Sequence, residues 1–202
     1  MTKRHLEILT EEPSAEAALR LLLPQIVGNR ATWKIITHQG KYDLLKQLPF
    51  RLNAYKKSLA DNERIIILVD RDKDDCLQLK QQMETAAARA GLTTKSVAQA
   101  TTFHLVNRIA IEEIESWFLG DEAAICTSYP ALRAFPGSLQ KRMPDNIANS
   151  WETLEKTLKN AGYRSIGGKI EVAKKIARNM NPKANRSKSF RVFVEGITAC
   201  IS

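Results

Sequence analysis

The sequence predicts an α/β protein with a mostly parallel four-stranded sheet, helices on both faces of the sheet and a helical C-terminal extension. Strand-like and helical patterns alternate up to about residue 120, which is the order that a parallel sheet requires. Residues 65–69 form an unbroken, mainly β-branched apolar run, which is typical of a strand buried on both faces. At 202 residues, the chain is long enough for a core over residues 1–120 and a basic helical region over residues 121–202 packed on it.

The first half of this core reads as two strand–helix units. His5–Leu9 is a short strand pattern, and Ser14 is the expected N-cap of the helix that follows it. Residues 33–37 predict a second strand. The stretch 42–59 predicts a helix, which we expect Pro49 to interrupt.

The second half contains the apolar third strand and a fourth one. A helix is predicted from about Cys76 to Ala90, directly after the third strand. Thr101–Ile111 predicts the fourth strand, and the apolar residues within 112–119 are then spaced roughly as in a helix. Three further helices are expected at about 147–161, 168–180 and 188–200.

The composition indicates a cytoplasmic protein. The chain has no run of about 18 apolar residues that could span a membrane, and the residues after Met1 do not form a signal-peptide pattern. Its three cysteines are odd in number and far apart, which fits neither a disulfide framework nor a zinc site. We therefore expect reduced thiols.

The positive charge is concentrated in the C-terminal quarter. The chain carries a net charge of +9, and residues 140–191 hold 13 Lys or Arg against four Asp or Glu. A clustered basic region is typical of a nucleic-acid binder, although a solvated helical face is the open alternative. The candidate contacts with a phosphate backbone are Lys169, Lys174, Lys175, Arg186, Lys188 and Arg191.

Carboxylates follow two of the predicted strands. Asp70 and Asp72 end the third strand, and alternation along an extended chain predicts that both project to one side of its carboxyl end. Two carboxylates so close repel by about 4 kcal/mol at an effective dielectric near 20, so the pair requires a divalent cation, a basic partner or a proton, of which we favour the cation. Glu11 and Glu12 end the first strand and reach the same edge. A Glu from there would complete an oxygen-only site that suits Mg²⁺ or Mn²⁺.

These segments resemble the Toprim domain, shared by topoisomerases, primases and nucleases of the overcoming-lysogenisation-defect type. That family has a Glu after its first strand and an Asp-x-Asp after its third, where this chain has TEEPSAE and LVDRD. The resemblance implies that Glu11, Asp70 and Asp72 hold the cation. IEEIESWFL resembles the helix start that supplies a second metal site in the nuclease branch, which implies roles for Glu113 and Glu115. The chain departs from the pattern next to Glu11, where Toprim turns commonly have Gly.

The chain is most similar to small stand-alone Toprim-like proteins that are often encoded beside an AAA ATPase in bacterial defence loci. The resemblance implies a Mg²⁺- or Mn²⁺-dependent nuclease acting on DNA or RNA, with Glu11, Asp70, Asp72 and Glu115 as catalytic residues. The alternative is a catalytically silent subunit that binds an ATPase partner and nucleic acid. A homodimer is compatible with both functions, and we expect no contact with a membrane.

An Asp-x-Asp motif alone also occurs in haloacid-dehalogenase phosphatases and in glycosyltransferases. A dehalogenase-type nucleophile would belong to the first strand, whereas this pair follows the third, so the order disfavours that class. Asp74 and Asp75 are expected to cap the next helix rather than bind an ion. The glycines before Lys169 do not have the spacing of a Walker phosphate loop.

Overall fold

The computed structural model describes residues 3–98 and 102–202 and contains one sheet of four parallel strands. The strands are β1 (Arg4–Thr10), β2 (Ala31–Thr37), β3 (Glu63–Asp70) and β4 (Leu105–Ala110). Their order in the sheet is β2-β1-β3-β4, and every neighbouring pair is parallel. The predicted fold class is therefore confirmed, with a sheet that is parallel throughout.

Helices surround this sheet and make up the C-terminal part of the chain. A 3₁₀ turn at Pro144–Asn146 accompanies them. The helices are α1 (Pro13–Val27), α2 (Lys41–Ser58), α3 (Cys76–Arg89), α4 (Glu115–Leu119), α5 (Glu122–Ser128), α6 (Gly137–Gln140), α7 (Ser150–Asn160), α8 (Lys169–Ala177) and α9 (Lys188–Ile201). Within the described ranges, no helix combines the length and the apolarity needed to cross a membrane.

Each face of the sheet carries its own hydrophobic cluster. Alternate strand residues such as Ile66 and Leu68 point to one cluster, which α1, α8 and α9 complete. Ile65 and Ile67 point to the other face, which α2 and α3 cover. This alternation explains the continuous apolar run, because a strand with helices on both sides has no face exposed to solvent.

The C-terminal helices belong to the larger of these clusters. α8 packs along α1, and α9 lies against β4 and β1. The cluster joins Leu22 of α1 to Ile176 of α8 and Phe193 of α9, all fully buried. Residues beyond 120 thus supply much of the cover for one face of the sheet.

Three details of the sequence prediction differ from the structure. Pro49 does not interrupt α2, because Leu44, Leu48 and Leu52 anchor its inner face while the proline lies exposed, where the carbonyl it leaves unpaired can meet water. Ser14 is not the N-cap of α1. Pro13 takes the first helical position, where its missing N–H costs nothing, and Glu12 precedes it in an extended conformation.

The third difference concerns the start of the fourth strand. β4 begins at Leu105 rather than at Thr101, which lies outside the described residues. The backbone N–H of His104 donates to the carbonyl of Thr93, 2.8 Å away, so the chain pairs first with the preceding loop.

Candidate metal centre

Three acidic side chains meet at the carboxyl edge of the sheet. Glu12 follows β1, Asp70 ends β3 and Glu115 begins α4 just beyond β4, so parallel pairing of the strands brings all three to one edge. Each contributes a carboxylate oxygen, and these oxygens lie within 4.8 Å of one another. We call these residues the inner acidic cluster. Three carboxylates at this spacing could hold a metal ion, and an oxygen-only donor set fits Mg²⁺ or Mn²⁺.

Glu115 is the most deeply buried member of the inner acidic cluster. The residue has no exposed surface, and neither of its carboxylate oxygens has a hydrogen-bond partner among the described residues. The ammonium of Lys169 lies 3.7 Å from Glu115 Oε1, which is beyond hydrogen-bonding distance. A buried carboxylate without hydrogen-bond partners costs stability even beside an ammonium, and binding of a proton or a cation would reduce that cost.

Burial shifts the acid–base equilibria of this edge. Desolvation raises the pKa of Glu115 to about 7, despite the opposing charge of Lys169. It raises the pKa of Asp70 as well, and the neighbouring charges of Glu11 and Glu115 act in the same direction. Burial alone would lower the pKa of the Lys169 ammonium, but Glu115, Glu12 and Glu113 outweigh it and raise that pKa. Asp70 and Glu115 therefore bind protons more tightly than ordinary carboxylates.

Glu11 lies next to the inner acidic cluster in a supporting position. One of its carboxylate oxygens accepts a hydrogen bond from the backbone N–H of Asp70, with a donor–acceptor distance of 2.5 Å. Burial raises the pKa of Glu11 to about 7, although this hydrogen bond and Lys41 lower it. The sequence had assigned the metal-binding Glu to position 11, whereas the structure brings Glu12 into the three-carboxylate cluster. Glu11 instead fixes the backbone from which Asp70 projects.

Asp72 faces a different partner from Asp70. Its backbone has a φ of 51°, in the left-handed region, so the strand's alternation ends before it. Its carboxylate pairs with Lys41 of α2, with an N–O distance of 2.6 Å, and Asp74 pairs with the same ammonium at 2.7 Å. We call Asp72 and Asp74 the outer acidic pair.

Glu113 lies beside the inner acidic cluster and is held by the start of α7. Its Oε2 accepts a hydrogen bond from the backbone N–H of Trp151 at 3.1 Å, and Lys169 Nζ is 3.6 Å from its Oε1. Lys169 thus lies between Glu113 and Glu115. Of the basic residues named from the sequence, the structure brings Lys169 to the acidic edge.

The other basic candidates divide into exposed and engaged residues. Lys174, Lys188 and Arg191 are exposed on α8 and α9. Lys175 is exposed too, with its ammonium 4.1 Å from the ring centre of Tyr129. Arg186 has structural contacts: it pairs with Glu122 and donates to the carbonyl oxygens of Gln140 and Arg142, at 2.6 and 2.8 Å.

Sequence reasoning placed Glu12 at this edge but gave the metal-binding role to Glu11, and it missed Lys41. Glu12 was visible in the Glu11–Glu12 dipeptide, but the turn geometry that decides which side chain faces the cluster depends on Pro13 starting α1. No local sequence pattern indicated a role for Lys41. It reaches the outer acidic pair only because α2 begins beside the end of β3, 29 residues away in the chain from Asp70.

The fold and this edge together define an α/β protein with an all-parallel sheet and a buried acidic centre at the carboxyl ends of its strands. The chain belongs to the family described as "Domain of unknown function (DUF4276)", whose model matches residues 10–198. That match runs from the last residue of β1 into α9 and includes every residue of both acidic groups. Comparisons with the curated proteins and with the solved structures gave no match.

Proposed function

We propose that this protein is a Mg²⁺- or Mn²⁺-dependent nuclease of the Toprim type that cleaves phosphodiester bonds in DNA or RNA. The observation that carries the proposal is the inner acidic cluster, in which neither carboxylate oxygen of the buried Glu115 has a hydrogen-bond partner in the part of the chain that the structure describes. A nuclease of this type would require such carboxylates at the carboxyl edge of its sheet. We also propose that the protein is the effector of a defence system, which rests only on its resemblance to the Toprim-like proteins.

Glu12, Asp70 and Glu115 are the residues that would hold the ion. When bound, Mg²⁺ or Mn²⁺ polarises a scissile phosphate and lowers the pKa of an attacking water. Glu11 keeps the backbone of Asp70 in place through its hydrogen bond. Glu113, tied to α7, keeps Lys169 beside the cluster, where its ammonium can neutralise a phosphate oxygen.

The exposed basic residues on α8 and α9 would bind the nucleic-acid backbone. Lys174, Lys188 and Arg191 are the strongest candidates, because all three residues are exposed. Lys174 also pairs with the exposed Glu171 at 3.1 Å, and Arg191 donates to the carbonyl oxygen of Arg186 at 3.2 Å. Arg186 is a weaker candidate, since Glu122 and two carbonyl oxygens already satisfy its guanidinium. Contacts of this kind are independent of base sequence and weaken with salt.

Cleavage is tested by incubating the purified chain with plasmid, single-stranded DNA and tRNA in Mg²⁺ or Mn²⁺, with and without an AAA ATPase encoded beside it. We expect cleavage that EDTA abolishes and that Asp70→Asn reduces by roughly ten-thousandfold or more, the scale of losing an essential group in a catalytic unit. The matched control is Asp61→Asn, an exposed residue before the opposite end of β3. Metal-dependent cleavage that survives in Asp70→Asn would contradict the proposal.

Nucleic-acid binding is tested separately through its salt dependence. Reversing Lys174, Lys188 and Arg191 to Glu should weaken binding on all sequences and flatten the slope of log affinity against log salt by nearly one unit per lost contact. The control reverses Lys34, Lys56 and Lys57, which are exposed on β2 and α2, and changes the net charge equally. Equal loss in both variants would mean that net charge, not this surface, governs binding.

The catalytically silent subunit is the second candidate, and exposed aromatic side chains on α2 favour it. Tyr42 and Phe50 are each 80% exposed, which is unusual for side chains of their size and typical of a protein-docking surface. Tyr42→Ser/Phe50→Ser would disrupt a complex with an ATPase if this candidate is correct. The same variant should leave metal-dependent cleavage by the isolated chain unchanged if the protein is a self-sufficient nuclease.

A further inference from the structure

The ammonium of Lys41 is surrounded by oxygen atoms in the way that a bound cation is. Its Nζ lies 3.0 Å from the carbonyl oxygen of Asp70 and 3.1 Å from that of Arg71. Carboxylate oxygens of Asp72 and Asp74 lie at 2.6 and 2.7 Å. The Lys41 side chain is only 15% exposed, so water has little access to this charge.

This set of contacts differs from a simple ion pair. An ammonium group has three N–H donors, whereas four oxygens surround it here, so at least one contact depends on charge and not on a hydrogen bond of its own. Two of the oxygens are backbone carbonyls at the end of β3, which together with two carboxylates form the hard, all-oxygen donor set that divalent ions prefer. The left-handed backbone of Asp72 turns its carboxylate toward this point.

We propose that the edge contains a second cation site, formed by the outer acidic pair and the carbonyls of Asp70 and Arg71, and that Lys41 permanently fills it. The chain accordingly binds one divalent ion, at the inner acidic cluster, and carries the second positive charge as a covalent part of α2. This inference rests on the proposed function for the inner ion alone. The contacts of Lys41 stand independently of it.

Asp70 links the two sites. Its carboxylate belongs to the inner acidic cluster, while its carbonyl oxygen contacts Lys41. The fixed ammonium offsets the repulsion between Asp70 and Asp72 before any ion arrives. An ammonium cannot activate water as an ion can, so the two positions are not equivalent in chemistry.

The test counts bound Mn²⁺ by electron paramagnetic resonance of the free ion during titration. We expect one Mn²⁺ per wild-type chain and two per Lys41→Met chain, because removal of the ammonium opens the second site. Lys41→Arg keeps the charge and should stay at one. The matched control is Lys46→Met, an exposed lysine further along the same helix, which should also stay at one.

Two more variants separate this inference from the proposed function. Lys41→Met/Glu115→Gln should bind one Mn²⁺, at the opened site only, and adding Asp74→Asn should abolish that binding. A wild-type chain that binds none while Lys41→Met binds one would refute the inner metal site and support the role of Lys41. Two ions in the wild type, or an unchanged count in Lys41→Met, would overturn the inference.

Folding is checked in each variant by circular dichroism with and without Mn²⁺. A Lys41→Met chain that folds only with Mn²⁺ supports the inference, because the ion then replaces the ammonium. If neither Lys41→Met nor Lys41→Gln folds under either condition, Lys41 is an obligatory structural ion pair and the inference is wrong.

Discussion

Asp70 and Asp72 are two residues apart and lie in opposite electrostatic surroundings. In the inner acidic cluster, the ammonium of Lys169 lies 3.7 Å from Glu115, and within the described residues Glu12 and Asp70 have no ion-pair partner. In the outer acidic pair, two carboxylates contact Lys41 at 2.6 and 2.7 Å. The outer charges are satisfied by the chain and stabilise it, whereas the inner ones cost stability until something binds. The ligand site is therefore indicated by carboxylate charges that the chain does not fully neutralise, more than by the number of carboxylates.

The largest expected effect is the response of stability to metal. Saturating Mn²⁺ or Mg²⁺, at about 100 times Kd, should raise the free energy of unfolding of the wild type by roughly 3 kcal/mol. Glu115→Gln should abolish this increase, because it removes the negative charge of Glu115 and replaces one of its carboxylate oxygens with an amide nitrogen. Asp74→Asn should retain it. Thermal melts of both variants with and without metal measure this stabilisation. Equal stabilisation of Glu115→Gln and Asp74→Asn would show that the inner acidic cluster and the outer acidic pair do not differ in metal binding.

The second prediction concerns the pH dependence of stability in EDTA. Glu115 has a pKa of about 7 in the folded protein against an ordinary value of 4.5, so the folded state holds its proton over that window. Stability consequently falls as pH rises from about 4.5 to about 7, by at most about 3 kcal/mol for this group. Glu16 has a lowered pKa, so its contribution makes stability rise with pH. The contribution of Glu115 is therefore obtained by comparing the wild type with Glu115→Gln. Urea unfolding should show a shallower fall in the variant, and parallel curves would contradict the assignment.

The third prediction uses the same variant at a fixed pH. Without metal at pH 8, Glu115→Gln should stabilise the protein by about 1–2 kcal/mol, because a neutral amide replaces a buried, unpartnered charge. The control is Glu171→Gln, whose side chain is 68% exposed and pairs with Lys174, and which should change stability by less than about 0.5 kcal/mol. A destabilised Glu115→Gln would indicate that the carboxylate already has a favourable partner.

The smallest effect is expected in the outer acidic pair. Asp74→Asn should destabilise the protein by about 0.5–1 kcal/mol, since a partly exposed ion pair is lost while Asp72 keeps Lys41 engaged. High salt should shrink this loss. Urea unfolding at low and at high salt measures both values, and a stabilising effect would place Asp74 with the uncompensated carboxylates.

The sequence predicted the strands and the parallel sheet because their signals are local. The apolar run of β3 and its alternation with helices need no knowledge of distant residues. The edge itself was also predictable, since parallel strands end together. Which glutamate enters the cluster was not, because Glu11 and Glu12 differ only in how Pro13 sets the turn. The Lys41 contacts depend on where α2 begins in space, which no local pattern encodes.

The packing of α8 along α1 has a consequence for how the chain folds during synthesis. Leu22 and its neighbours on α1 are covered by α8 and α9, which follow about 150 residues later. At a translation rate of about 5–20 residues per second, α8 and α9 are synthesised roughly 10–30 seconds after α1. The apolar face of the first strand–helix unit stays unburied by them during that time. The nascent chain therefore exposes an apolar surface, at which it can aggregate, until α8 and α9 have been synthesised.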